Sequence, residues 1–213
     1  PPPPPRGPPT SAHPPTPPAG LRPPAPPVAP ATCQPRLSGS PRPREDAWYA
    51  EEPEKYAESG SIDAYLERKG QDLITQLEKL RDEGGLYWTQ PVTDEVIDFV
   101  ERHPEIRQGV RDGLLLYEVK IPYMTLEYMA ETDERLKRYY YCHCPWVRES
   151  LKEGDVSVSP TFCLCSAGFH KKSWEVIFEQ PLQAEIVETV LKGDPWCKIA
   201  IHLPKEALTG ANP

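Results

Sequence analysis

The distribution of proline is the strongest constraint on how this chain can fold. Nineteen of the 29 prolines fall within residues 1–43. Proline fixes φ and lacks an amide donor, so a run this dense forms neither a helix nor a sheet. We therefore predict that residues 1–44 are a disordered tail with polyproline II character. Residues 45–213 are then expected to fold as a single domain with its own core.

Charge divides the chain at the same place. Residues 1–44 contain five arginines and no acidic residue, whereas all 213 residues together carry −8, so the remainder carries −13. Because binding to phosphates needs a basic face, we expect neither a nucleic-acid partner nor an anionic membrane surface. No apolar run approaches the roughly 20 residues that cross a bilayer, and the start does not resemble a signal peptide. These features favour a cytoplasmic protein with reduced thiols, and they indicate no oligomeric state.

Apolar spacing predicts helices in the first part of the domain, residues 45–138. An irregular acidic lead-in is expected over residues 45–58. Ser61 then caps a helix that ends at the Gly84-Gly85 pair. Thr93 is in position to cap a second helix.

A third helix is predicted to begin at Pro104, because proline is favoured in a first turn. Its apolar stripe extends to Tyr117. Gly109 and Gly113 lie four positions apart in the same helix, where they would allow close helix packing. A further short helix is predicted within residues 123–138.

The second part, residues 139–205, is predicted to be a cysteine-rich sheet. Arg138–Cys144 is aromatic-rich and indicates a strand, and Val156–Cys165 indicates another. Phe169–Glu179 has helical spacing. Leu182–Leu191 and Trp196–Leu203 then form a hairpin. Early helices and later antiparallel strands predict an α+β domain, with N-terminal helices packed on a C-terminal antiparallel sheet.

Five of the six cysteines lie in the last third of the chain. They are Cys142, Cys144, Cys163, Cys165 and Cys197. Two Cys-x-Cys pairs occur among them, and residues i and i+2 of a strand share a face. If the two predicted strands were neighbours, four sulfurs would therefore cluster.

Three interpretations of these cysteines stay open. Four thiolates would suit a zinc ion, with Cys197 or His143 able to replace one ligand, although zinc sites usually have Cys-x₂-Cys spacing. Free cysteine is also a small hydrophobic residue that is often buried for packing alone. The third interpretation is thiol chemistry.

Cys165 is the best candidate for a nucleophile. It precedes a predicted helix, and free amides at a helix start stabilise a thiolate. His170 follows closely and could move protons, as could His143. In a zinc site of four thiolates Cys165 would be a closed ligand instead, so the two roles exclude one another. Pocket-lining candidates are Trp146, Trp174 and Arg148, with core packing as the alternative for the tryptophans.

The second half also resembles a known group of proteins. The matching segments are Tyr141–Trp146 (YCHCPW), Phe162–Phe169 (FCLCSAGF), Trp174 with Ile177-Phe178, Gly193-Asp194, and Cys197–Leu203. They resemble an uncharacterised bacterial family near the L-2-amino-thiazoline-4-carboxylic acid hydrolases, which are similar to four-vinyl-reductase-type ligand-binding domains. The resemblance implies an α+β fold with a small-molecule cavity. The proline-rich tail has no counterpart in it, and the Cys-x-Cys pairs point to the uncharacterised branch.

Three functional hypotheses follow. The first is a small-molecule hydrolase of a cyclic or amide-like C–N bond, dependent on the Cys165 thiol or on a metal. The second is a non-catalytic ligand-binding or sensory module with a structural zinc site. The third is an interaction protein whose tail, with Pro-x-x-Pro spellings such as Pro14–Pro17, recruits a partner.

Overall fold

A computed structural model describes residues 46–154 and 157–208, and the proline-rich tail predicted for residues 1–44 lies outside them. Within these ranges, eight α-helices accompany a four-stranded antiparallel sheet and a separate two-stranded hairpin. The predicted α+β class is therefore confirmed. No helix in the described ranges combines the length and the apolar character that crossing a membrane requires.

Helices and strands alternate along the chain. The helices are α1 (Glu52–Ser59), α2 (Ile62–Asp82), α3 (Asp94–Glu101), α4 (Pro104–Arg107), α5 (Thr125–Ala130), α6 (Glu134–Tyr141), α7 (Pro145–Glu153) and α8 (Leu164–Ile177). The strands are β1 (Leu86–Tyr87), β2 (Gln90–Pro91), β3 (Val110–Asp112), β4 (Leu115–Val119), β5 (Gln183–Glu188) and β6 (Lys198–His202). Short 3₁₀ helices cover Asp46–Tyr49, Pro160–Cys163, Val190–Lys192 and Lys205–Leu208.

The two helices with the clearest apolar spacing are confirmed. Ser61 caps α2 by accepting a hydrogen bond from the Ala64 amide at 3.2 Å, as predicted. Helix α3 starts after Thr93, but the Thr93 hydroxyl makes no capping bond. The lead-in over residues 45–58 is not irregular in its described part, because it contains a 3₁₀ helix and α1.

The third predicted helix is wrong after its first turn. Helix α4 ends at Arg107, and β3 and β4 follow as an antiparallel hairpin. Gly109 has φ +93° and Gly113 has φ +59°, conformations that favour glycine. The two glycines therefore end the helix and turn the hairpin, rather than letting helices pack closely.

Both strands predicted around the Cys-x-Cys pairs are also wrong. Arg138–Tyr141 completes α6, whose start is capped by the Asp133 carboxylate, and Cys142–Cys144 forms the connection to α7. In the second stretch, residues 155–156 lie outside the description, and Pro160 opens a 3₁₀ helix that leads into α8. Proline at a helix start and packing of Tyr141, which is 1% exposed, override the β propensity of these residues.

The C-terminal hairpin is confirmed, and it joins a sheet larger than predicted. The strand order is β3-β4-β6-β5, with every neighbouring pair antiparallel. Two of the four strands, β3 and β4, come from the part predicted to be helical. The single helix predicted within residues 123–138 is instead two, α5 and α6.

Helix α2 connects two hydrophobic clusters. Its first half contributes Tyr65 and Leu66 to a cluster with α1, α8 and the sheet. Its second half contributes Ile74 and Leu77 to a cluster with α3, α6 and α7. Strand β4 places Leu116 in the first cluster, where it is fully buried.

Replacing Leu116 with alanine tests this packing. We expect Leu116→Ala to lower the free energy of unfolding by about 2–5 kcal/mol, because burial is lost and a cavity forms at the centre of the sheet. Leu86→Ala is the matched control, because Leu86 is 56% exposed in another strand and its loss should change stability by less than about 0.5 kcal/mol. Urea unfolding of both variants checks this, and equal effects would contradict the description of the core.

Candidate functional site

All five predicted site cysteines line one cavity of about 410 Å³, which we call the thiol cavity. Cys142 and Cys144 reach it from the loop between α6 and α7. Cys163 and Cys165 reach it from the start of α8, and Cys197 from the residue before β6. The sulfurs were predicted to meet through strand alternation. They line the same cavity through helix starts and turns instead.

Burial makes two thiols of this cavity less acidic. Burial raises the pKa of Cys142 to about 12 and also raises the pKa of Cys197. Both are therefore protonated near neutral pH. The Thr189 hydroxyl lies 3.4 Å from the Cys163 sulfur and 3.7 Å from the Cys197 sulfur. Cys165 is the exposed member of the set.

The described residues contain no site for a single metal ion. No three His, Cys, Asp or Glu side chains among residues 46–154 and 157–208 are grouped so that they could hold one metal ion. The zinc ligands predicted from the sequence thus share a cavity without forming such a group.

A second cavity of about 710 Å³, which we call the larger cavity, adjoins the thiol cavity. Lys120, His143 and Cys165 line both. His170 lines the larger one. The structure therefore brings together the three residues predicted to carry thiol chemistry, Cys165, His143 and His170.

Glu118 is the functional candidate that the sequence analysis missed. It lies in β4 on the buried face shared with Leu116, and it is only 6% exposed. Its carboxylate accepts hydrogen bonds from Lys69, from Trp174 Nε1 at 3.2 Å and from His170 Nδ1 at 2.8 Å. A glutamate two positions after Leu116 in an apolar stretch was a detectable signal, but the stretch was assigned to a helix.

The Glu118 carboxylate stays ionised despite its burial. Burial would raise the pKa of Glu118, but the charge of Lys69 and the hydrogen bonds from His170 and Lys69 outweigh it and lower the pKa to about 2. Because an ionised carboxylate only accepts, Nδ1 of His170 must carry the proton. Burial lowers the pKa of His170, so the ring is neutral near pH 7 and Nε2 holds a lone pair.

The Nε2 atom of His170 is buried without a hydrogen-bond partner among the described residues. An unsatisfied buried nitrogen costs free energy, so this atom, in a residue that lines the larger cavity, requires an explanation. A bound ligand or water that donates to Nε2 would satisfy it. The same nitrogen could also accept a proton. An Nε2 lone pair on a ring whose Nδ1 is fixed by a carboxylate is the arrangement of a general base.

Cys165 lies in the first turn of α8 and is exposed. Helix α8 starts at Leu164, earlier than predicted, so His170 is not within one turn of Cys165. Five residues correspond to about 7.5 Å along the helix axis. A proton passing between the two side chains therefore needs a substrate atom or a water molecule between them.

Lys120 is a cation placed between the two cavities. Its ammonium donates to the Ser166 hydroxyl at 3.1 Å and lies 5.1 Å from the centre of the Phe169 ring. Among the described residues no carboxylate forms an ion pair with it. Burial lowers the pKa of Lys120, and the nearby thiols, including Cys197 and Cys165, act in the opposite direction.

His143 stands in the same shared wall. Its Nε2 lies 2.8 Å from the carbonyl oxygen of Ile121, which only accepts, so Nε2 carries the proton. Burial lowers the pKa of His143 to about 4. The ring is therefore neutral near pH 7 and presents Nδ1 as an acceptor.

Of the three residues predicted to line a pocket, one lines a cavity and two do not. Trp146 is 68% exposed and lines the thiol cavity. Trp174 is fully buried and lines neither cavity, but its indole holds Glu118. Arg148 also lines neither cavity, since its guanidinium lies between the rings of Tyr123 and Tyr139 at 4.4 and 4.6 Å.

Exposed aromatic side chains concentrate at the two cavities. Five tryptophans and phenylalanines are exposed in the described part of the chain, and each lines one of the cavities: Trp48, Trp88, Trp146, Phe162 and Phe169. Trp88 also has φ +58°, an unusual conformation for a bulky residue. Apolar exposure and backbone strain both concentrate at functional sites, so these residues make the two cavities candidate binding surfaces.

Comparison with known proteins adds no relative. No protein-family model, no curated protein and no solved structure matches this chain. The functional argument therefore depends on the geometry of the two cavities.

Replacing Glu118 with glutamine tests the buried network. We expect Glu118→Gln to lower the free energy of unfolding by about 3–5 kcal/mol at pH 7, because Lys69 and His170 lose their charged partner. A lowered carboxyl pKa stabilises the fold above the unfolded value, so this advantage should shrink as pH falls from 4.5 towards about 2. Urea unfolding across this range measures both effects.

Glu185→Gln is the matched control. Glu185 also accepts from a histidine, His202, at 2.8 Å, but it is 54% exposed. Its loss should cost at most about 1 kcal/mol. A Glu118→Gln variant as stable as Glu185→Gln would show that the network does not hold the fold.

Proposed function

We propose that the larger cavity binds a small molecule and that Cys165 hydrolyses a cyclic or amide-like C–N bond in it. The observation that carries the proposal is the unpartnered Nε2 of His170, in the wall of a cavity that Cys165 also lines. A nucleophile and a carboxylate-oriented base on one cavity wall are the parts that covalent hydrolysis needs. The free thiols suit a reducing compartment, and we place the reaction in the cytoplasm.

The proposed reaction has two halves. The Cys165 thiol gives its proton, through a bound water, to His170 Nε2, and the thiolate sulfur forms a bond with the electrophilic carbon. The C–N bond breaks as the nitrogen takes that proton from His170. Water then attacks the thioester carbon and gives a proton to His170, the S–C bond breaks, and the sulfur recovers its proton from His170.

Lys120 supplies the positive charge that this sequence needs. The sulfur develops negative charge before it attacks, and the carbonyl oxygen develops it afterwards. A cation without a carboxylate partner stabilises both. The Glu118 carboxylate keeps Nδ1 of His170 protonated throughout, so that Nε2 alone exchanges protons.

A second candidate is binding without catalysis. The exposed aromatic residues Trp48, Trp88 and Phe169 at the larger cavity favour it, because they offer ring faces to a ligand irrespective of any reaction. In this alternative the cysteines would have a structural role, with zinc as the ion proposed from their number.

Alkylation rates test the nucleophile. Among the five described thiols we expect iodoacetamide to label Cys165 first near neutral pH, as located by mass spectrometry of peptides. Lys120→Met should slow this labelling, because the attacking sulfur loses a nearby cation. Lys55→Met is the control, because Lys55 lines the same cavity but is paired with Glu51, Glu52 and Asp72. Faster labelling of Cys144 or Cys163 would contradict the assignment.

Turnover tests the reaction. We expect the full chain to open rings in a panel of cyclic amides and cyclic ureas, followed by loss of amide absorbance. Cys165→Ser and His170→Gln should each lower the rate at least about 100-fold, the contribution of a nucleophile or a general base. Cys33→Ser removes a thiol outside the described residues and is the control. Ligands that raise the melting temperature of the wild type without being hydrolysed would favour the binding module.

A further inference from the structure

The thiol cavity contains every cysteine that the structure describes. Its cysteines come from three separate segments, which are the α6–α7 connection, the start of α8 and the turn before β6. Cysteines used only as small packing residues need not share one cavity. Their collection around one space indicates a ligand that binds sulfur.

Four of these cysteines face the thiol cavity without belonging to the proposed reaction. Cys165 lines both cavities. The other four line only the thiol cavity: Cys142, Cys144, Cys163 and Cys197. Cys163 and Cys197 both contact the Thr189 hydroxyl, at 3.4 and 3.7 Å. Cys142 and Cys144 are held together by the short loop between two helices.

Two helix N-termini and one lysine lie beside these sulfurs. Cys144 occupies the N-cap position of α7, which has nine residues, and Cys163 that of α8, which has 14. The free amides and the dipole of a helix start stabilise anions there. Lys120 adds a full positive charge in the cavity wall, and no described carboxylate neutralises it.

The size of the thiol cavity separates one ion from several. A zinc ion with sulfur ligands about 2.3 Å away occupies a sphere of roughly 50 Å³. The cavity measures about 410 Å³, several times that volume. No three of the described side chains are grouped to hold a metal ion, whereas an iron–sulfur cluster needs only one thiolate per iron because sulfide supplies the other ligands.

We propose that Cys142, Cys144, Cys163 and Cys197 hold a polynuclear metal–thiolate cluster in the thiol cavity, leaving Cys165 free. Two chemistries fit the same four thiolates, iron with inorganic sulfide and copper(I), because both metals bind soft sulfur ligands. This site is separate from the proposed hydrolysis and does not depend on it. It differs from the single zinc ion proposed above in the number of metal ions.

Reconstitution of the full chain tests the proposal. The reduced protein is incubated without oxygen in three arms: with iron(III), sulfide and excess dithiothreitol, which reduces part of the iron; with copper(I); and with zinc alone. Unbound metal is then removed by gel filtration. The expected result is about four iron and four sulfide per chain with visible charge-transfer absorption, or several copper ions per chain. One metal ion or none per chain in all three arms overturns the proposal, and one zinc alone would establish a single-ion site.

Cysteine variants test the ligand set. The double variant Cys163→Ser/Cys197→Ser should lose the cluster, and Cys144→Ser, at a half-exposed position in a loop, should lower loading with less risk to the fold. Circular dichroism confirms folding before loading. Cys165→Ser and Cys33→Ser should load like the wild type. Unchanged loading of the folded Cys144→Ser and double variants, or loss of loading in Cys165→Ser, overturns the assignment.

Discussion

The buried carboxylate of Glu118 is the interaction on which the rest of the structure depends. Removing a carboxylate from water costs several kcal/mol, and only partners on all sides offset that cost. Its three donors come from different elements, Lys69 from α2 and His170 and Trp174 from α8. The network therefore connects the central strand β4 to the two longest helices, and it orients His170 towards the larger cavity. The same contacts serve stability and the proposed chemistry.

The two cavities meet at Lys120, His143 and Cys165, and the electrostatics differ on either side of them. On the side of the larger cavity the histidines are neutral and have lone pairs available for proton transfer. On the thiol side, burial keeps Cys142 and Cys197 protonated unless a metal displaces their protons. Lys120 serves both sides as the shared cation. Our two proposals give Cys165 the role of nucleophile and its neighbours the role of ligands, so they avoid the conflict that a four-thiolate site including Cys165 would create.

The elements that could be predicted from the sequence are those that local patterns encode. Helix α2 and the β5–β6 hairpin have strong periodicity and clear turn residues, and both are confirmed. The β3–β4 hairpin was missed because Gly109 and Gly113 fit a helix stripe as well as a pair of turns. Their positive φ values exist only in the folded chain. Missing this hairpin also hid Glu118, since its burial becomes visible only when the stretch is recognised as a strand.

The cysteines illustrate a different limit. Their gathering at one cavity was predicted, but through strand alternation, and the aromatic stretch before Cys142 is in fact the end of α6. Helix α6 ends at Tyr141 and Pro145 opens α7, so residues 142–144 form a loop in which two thiols reach the same cavity. Cys-x-Cys spacing thus limits the distance between two thiols. It does not specify the secondary structure in which they lie. Proteins can use such a pair at a helix start as readily as in a strand, and the helix start adds amides that a strand commits to its neighbours.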